Sequence, residues 1–456
     1  MDWKVSVSTA AALLLTSIGA HAASEVDAYR LGPSALHRLH PLHVRGAVSP
    51  NITKPGALNT AALQAAFKNA KNGGGLPGID SVVNFTGQFT GSPSLDANFK
   101  PLPDVTFNYA MVGNAPGGGT THINAPIIPV TVELLGSDGK VAHDPVSGLP
   151  LISDPHDKIR LAEDSPVFDN ALFTSSRQET QYTDAIHRAQ FFNDIGETWH
   201  TLLDPDIEPG LTMQIPFGSW FYFPNSDGSC CLFIEVDINV FQALLFPPTF
   251  PVDNSTIIGA AELSHRITTK DIGTFLFPDT YLYFNGDPAQ CCVLGFHTFD
   301  FEPGTKQNGN LPRAYMIIYA SWISPGLFGA GFEDVTALSH EMAETFSDPF
   351  TGFENRNIVP WWLSGSQCQN LLENGDVIES LPSRVTFEIA MPNGFLYHPQ
   401  NVPMLQWFEM QVPSTALNGT YSYPDTETLT APSPPILPVF DINGNLINCL
   451  SAPPPS

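Results

Sequence analysis

Between Glu333 and Pro349 the chain reads Glu-Asp-Val-Thr-Ala-Leu-Ser-His-Glu-Met-Ala-Glu-Thr-Phe-Ser-Asp-Pro. His340, Glu341, Glu344 and Asp348 offer an imidazole and carboxylates, the donor types that hold a divalent cation or move a proton. On a helix turning about 100° per residue these four share one side, while Val335, Leu338, Met342 and Phe346 form an apolar stripe on the other. Pro349 stops the helix. A charged helix face is ordinarily a solvated one. Here, however, the segment carries five acids and no Lys or Arg. Glu341, Glu344 and Asp348 stand in i,i+3 and i,i+4 register, where each like-charge pair costs about 0.2–0.5 kcal/mol. Asp348 also lies at the negative end of the helix dipole. A bound cation, or a buried partner from elsewhere in the chain, relieves both penalties.

The order His340-Glu341-Met342-Ala343-Glu344 resembles the zincin metallopeptidase signature His-Glu-x-x-His, with Glu344 where the second His would stand. The resemblance implies His340 as a metal ligand, Glu341 as the general base that activates water, and Glu344 as a carboxylate ligand. It implies a divalent ion, zinc first, although a carboxylate in place of His weakens the preference for zinc. The longer string from Leu338 to Pro349 also resembles the Ser-His-Glu-x-Ala-Glu segment of the plant phosphate-induced, Exordium-like secreted proteins and of secreted microbial proteins without assigned activity. That second resemblance implies a shared site without implying proteolysis. In zincins of the Glu-ligand type a downstream carboxylate completes the site. Glu373 and Asp376, in Glu-Asn-Gly-Asp, are the candidates here, with His398 behind them and Asp348 as a further acidic donor. Glu-Asn-Gly-Asp is also an ordinary turn sequence.

Strand-like runs precede this helix at Thr106–Val112, Ile127–Leu135, Ser219–Phe223, Cys231–Val236, Thr280–Phe284, Val293–Phe299 and Ala314–Trp322. Helical patterns cover residues 59–70 and Thr183–Phe192, the latter with an expected Asp184–Arg188 pair at i,i+4 and a structural His187. A sheet followed by the His340 helix is the order in which a zincin-like domain is built, which is a fold-level analogy. The expected class is α+β, a β-rich N-terminal layer followed by a zincin-like domain of sheet plus active-site helix. The expected divisions are a signal peptide over 1–22, an N-terminal arm and short helix over 23–79, the β-rich region over 80–165, the zincin-like domain over 166–423 and a proline-rich tail over 424–456.

Composition narrows the partners. Lys and Arg number 19 against 45 Asp and Glu, a net charge of −26, which repels nucleic acid and anionic membranes. Lys4, the apolar run through Ile18 and Ala20-His21-Ala22 read as a secretory signal peptide, so the expected location is extracellular. No later apolar run is long enough to span a membrane. Export favours disulfides among the six cysteines, and the neighbouring pairs Cys230-Cys231 and Cys291-Cys292 suggest one strand stapled to another. His37, His40 and His43 lie in a proline-interrupted stretch that reads as a mobile arm. The sequence therefore points first to a secreted metal-dependent hydrolase, metallopeptidase-like, acting on a peptide or other extracellular substrate. The alternative is a non-catalytic secreted protein with a degenerate or structural metal site. A serine hydrolase ranks lower because no Gly-x-Ser-x-Gly occurs.

Overall fold

The computed structural model describes residues 25–41, 61–91, 95–96, 98–174, 178–248, 252–329, 331–351, 361–363, 367–369, 371–379, 381, 383–433, 439–440 and 446–447. In chain order the main elements begin with α1 (Ala61–Asn69), β1 (Asn84–Gly91), β2 (Val105–Val112), β3 (Thr121–Leu134), β4 (Ile152–Ser153) and α2 (His156–Glu163). There follow α3 (Tyr182–Gln190), β5 (Thr201–Ile207), β6 (Leu211–Ile215), β7 (Trp220–Phe223), β8 (Phe233–Asp237), α4 (Ile238–Leu245) and α5 (Ile257–Leu263). The series closes with β9 (Ile272–Pro278), β10 (Thr280–Tyr283), β11 (Cys291–Val293), β12 (Gly295–Glu302), β13 (Arg313–Trp322), α6 (Thr336–Ser347) and the short α7 (Asp376–Glu379). The class is α+β.

β3, β4, β5, β6, β9, β12 and β13 form a seven-stranded sheet in which β12 pairs antiparallel with β13, β13 parallel with β9, and β9 parallel with β3. β5 and β6 run parallel to successive halves of the long β3, so the β-rich stretch before residue 165 supplies a central strand. The break between them falls at Gly210, packed against the backbone of Pro129, a β3 residue with no N–H to offer a ladder. A second, four-stranded sheet has the order β11-β10-β8-β7.

Both faces of the larger sheet are covered. Ile318, Ala320 and Phe299 pack with Val335, Leu338, Met342 and Phe346 of the α6 segment on one side. Ile317, Tyr319 and Phe296 pack with Phe241, Ile258 and Ala261 of α4 and α5 on the other. Strand alternation is what sends neighbours in β12 and β13 to opposite layers.

Several local expectations are corrected. Each cysteine pair closes on itself, Cys230 with Cys231 and Cys291 with Cys292, so no described disulfide staples separate strands. Cys449 lies outside the described residues, as do the signal-peptide stretch and His43. Residues 25–41 are not a free arm: Arg30 pairs with Asp144 at 2.8 Å, Leu31 N–H donates to Tyr222 O, and Cys292 N–H donates to His40 O. Asp184 does not pair with Arg188. Buried Asp184 accepts from Thr180, His200 and Thr201 instead, while Arg188 donates to the carbonyl of Trp199, because a buried carboxylate takes the nearby donors that its burial demands. Among the described residues no helix is long and apolar enough to cross a membrane.

Candidate metal centre

Every residue of α6 is buried, so the polar side of this helix is not a solvated face. Its apolar stripe meets the sheet, and the segments 371–379 and 398–401 close over the other side. Within that closure, His340 Nε2 lies 3.3 Å from Glu344 Oε1, 3.6 Å from Asp376 Oδ1 and 3.9 Å from Glu341 Oε1. Single donor atoms of His340, Glu344 and Asp376 all fall within 4.8 Å of one another. Ligands at about 2.0–2.1 Å from a tetrahedral zinc stand about 3.3–3.4 Å apart, so the two shorter distances are close to that spacing.

The surroundings orient these donors. Gln400, with no exposed surface, donates from Nε2 to Gly375 O at 2.6 Å, which turns its Oε1 toward His340 Nδ1 at 2.9 Å. A carboxamide oxygen only accepts, so Nδ1 carries the proton and Nε2 turns toward the carboxylates, as expected of a metal-ligating imidazole. Tyr182 Oη donates to Gln400 O and Ser339 Oγ accepts from Gln400 N–H, anchoring the residue on two sides. Glu344 Oε1 accepts the backbone N–H groups of Gly375 and Asp376 at 3.0 and 3.2 Å. Gly375 must be glycine, since a Cβ there would stand 2.6–2.7 Å from three atoms of the His340 ring. The Glu-Asn-Gly-Asp turn is thus a shaped lid on the imidazole as well as a turn.

A second imidazole enters from the sheet. His297 of β12 is 1% exposed and places Nδ1 3.2 Å from Glu344 Oε2, 3.5 Å from Glu341 Oε2 and 3.8 Å from Glu373 Oε2. Its Nε2 lies 3.2 Å from Asp348 O, an acceptor only, and 2.7 Å from Thr351 Oγ1, so Nε2 carries a proton. His297, Glu341 and Glu344 also bring donor atoms within 4.8 Å of one another. Glu344 therefore faces one imidazole with each carboxylate oxygen.

The electrostatics follow from burying this much charge. Burial alone lowers His297, but Glu341 and Glu344 outweigh it and lift the imidazole to about 10. Burial raises Glu344, and the two histidines more than reverse this, holding it well below the usual carboxylate range. Burial pushes Glu341 and Asp348 up to about 7. Glu373 is raised further by burial and by the charges of Glu344, Asp376 and Asp348.

Of the residues expected from sequence, His340, Glu341, Glu344 and Asp376 come together directly. Glu373 turns to the His297 side, where its Oε1 is buried without a hydrogen-bond partner. Asp348 belongs to neither convergent set among the described residues. Its Oδ2 accepts Leu372 N–H at 3.2 Å and its Oδ1 has no partner. His398 stands apart, bonded to Asp334 at 2.7 Å before the start of α6. Sequence reasoning missed His297 and Gln400. A histidine inside the apolar strand Val293–Phe299 was the available signal for the first, whereas nothing local marked the second. No family model, curated protein or solved structure matches the chain.

Proposed function

We propose that the protein is a divalent-metal-dependent hydrolase, metallopeptidase-like, in which His340, Glu344 and Asp376 hold the ion and Glu341 is the general base. The observation that carries this reading is the convergence of those three donors around His340 Nε2, with the tautomer of that imidazole fixed by Gln400. One imidazole and two carboxylates suit zinc and also harder first-row ions such as manganese. Bound there, the ion would act as a Lewis acid on a carbonyl oxygen.

The chain's own residues supply the rest. Glu341 reaches toward both imidazoles, 3.9 Å from His340 and 3.5 Å from His297, so it borders the ion site and can take a proton from an attacking water. His297 positions Glu341 and offsets the negative charge that Glu344 and Glu373 place beside it. Gly295 leaves room for that arrangement, because a Cβ there would stand 2.7 Å from Glu341 Cγ and Oε1. An exported protein acting on peptides is the substrate context that the leader-like N-terminus and the zincin resemblance support.

Glu341→Gln tests the catalytic half. Metal content should remain, and metal-dependent cleavage of denatured polypeptide substrates should fall by about 10²–10⁴-fold. Cleavage unchanged in the variant would refute the assigned base. A second reading, a purely structural ion, is favoured by burial: none of His340, Glu341, Glu344 and Asp376 is more than 8% exposed. It requires that metal removal lower stability while no hydrolysis accompanies the loaded protein.

A further inference from the structure

β12 serves both faces of the sheet. His297, Phe299 and Phe301 point toward α6, so alternation sends Thr298, Asp300 and Glu302 to the opposite face, where α5 brings Glu262. Donor oxygens of Glu262, Asp300 and Glu302 all lie within 4.8 Å of one another, and the residues are 6%, 1% and 3% exposed. Both carboxylate oxygens of Glu262 are buried without a hydrogen-bond partner, as is Thr298 Oγ1. Arg313 is the cation at hand, with Nη1 3.7 Å from Glu302 and Nε 4.0 Å from Asp80. Lys270 is taken by Asp80 at 2.7 Å. Beside the carboxylates opens a cavity of about 380 Å³ lined by Glu262, Glu302, Thr268 and Tyr315, among others.

We propose that Glu262, Asp300 and Glu302 bind a second cation, of the hard divalent class and calcium in first place, on the face of the sheet opposite the His340 centre. The donors are oxygens alone, which suits Ca²⁺ or Mg²⁺ and not zinc. Ca²⁺ at about 2.3–2.6 Å from each ligand accepts oxygens as far as about 4.6–5.2 Å apart, and it takes six to eight ligands, so the cavity supplies room for water to complete the shell. Mg²⁺ demands a tighter octahedron. Carboxylates gathered this closely concentrate negative charge once ionised, which a 2+ ion would compensate. Burial and the neighbouring Asp300 and Glu302 push Glu262 up to about 10, so this carboxyl holds its proton at neutral pH and an ion bound there would displace it. The ion would tie α5 to β12, and nothing in the proposal depends on the hydrolase reading.

The test is Ca²⁺ titration of the full-length protein at neutral pH, read by calorimetry and by thermal unfolding. The wild type should bind one Ca²⁺ per chain and gain Tm with rising Ca²⁺, by mass action. Glu262→Gln and Asp300→Asn should each weaken binding by about tenfold or more, whereas His340→Ala should bind Ca²⁺ as the wild type does. Absence of binding and of a Tm rise in the wild type would overturn the proposal, and shared protons among the carboxyls would then account for the cluster. Undiminished binding in Glu262→Gln, or loss of binding in His340→Ala, would overturn it equally.

Discussion

At the scale of single residues, the metal centre depends on how His340 is held. Its Nε2 meets carboxylates because its Nδ1–H is committed to Gln400, and Gln400 is committed because its own amide nitrogen has Gly375 O to satisfy. Gln400→Leu removes the acceptor and leaves the imidazole free to change tautomer. We predict a zinc affinity about 10–100-fold weaker, measured by competition with a chromophoric chelator, in a protein whose fold is retained. An unchanged affinity would mean that Gln400 does not set the tautomer. The residues that carry charge were legible in the chain because acids without bases on one helix are electrostatically anomalous. Gln400 was not legible, since its role exists only when a segment sixty positions away in sequence folds over the helix. His297 was half legible, an imidazole in an apolar strand, but which face of the strand it occupied depended on pairing with β13.

At the scale of elements, α6 and the helix packed against it share an aromatic seam. His187 of α3 is 1% exposed, its ring lying 5.3 Å from that of Phe346 in α6 and 6.3 Å from that of Trp199, and neither of its nitrogens has a hydrogen-bond partner. Burial lowers its pKa to about 4 from the ordinary value near 6.5. The folded state therefore binds the proton more weakly than the unfolded chain does. The neutral ring's contribution is fully present above pH 6.5 and is lost as pH falls toward about 4, amounting to about 3 kcal/mol. His187→Phe should abolish that slope and leave stability at pH 7 close to the wild type, as read by urea unfolding across this range. A wild-type slope that persists in the variant would assign the acid sensitivity to other groups. Periodicity predicted α3 and α6 within about two residues, and several strands similarly, but β3 begins at Thr121, six residues before the expected Ile127, and the expected run Val293–Phe299 divides between β11 and β12. It did not predict that α6 would be covered on both sides, because covering depends on what the later chain places there.

At the scale of the whole molecule, one sheet carries helices on both faces and a candidate ion centre on each, with β12 contributing to both. The α+β class was readable from runs of strands and helices. The role of β3 was not, because its pairing with β5, β6 and β9 joins segments up to about 150 positions apart. The cysteines mislead in the same way, since spacing alone cannot distinguish a bridge between strands from one between neighbours. Non-reducing peptide mapping should find Cys230 bonded to Cys231 and Cys291 to Cys292 within single peptides, and a peptide linking one pair to the other would contradict the fold described here. The most direct measurement of the central claim is zinc or manganese content after equilibrium dialysis of the full-length protein at neutral pH. The account predicts one first-row ion per chain in the wild type, none in His340→Ala, and retention in Glu341→Gln. A wild type that takes up no ion, or a His340→Ala protein that keeps it, would contradict the account.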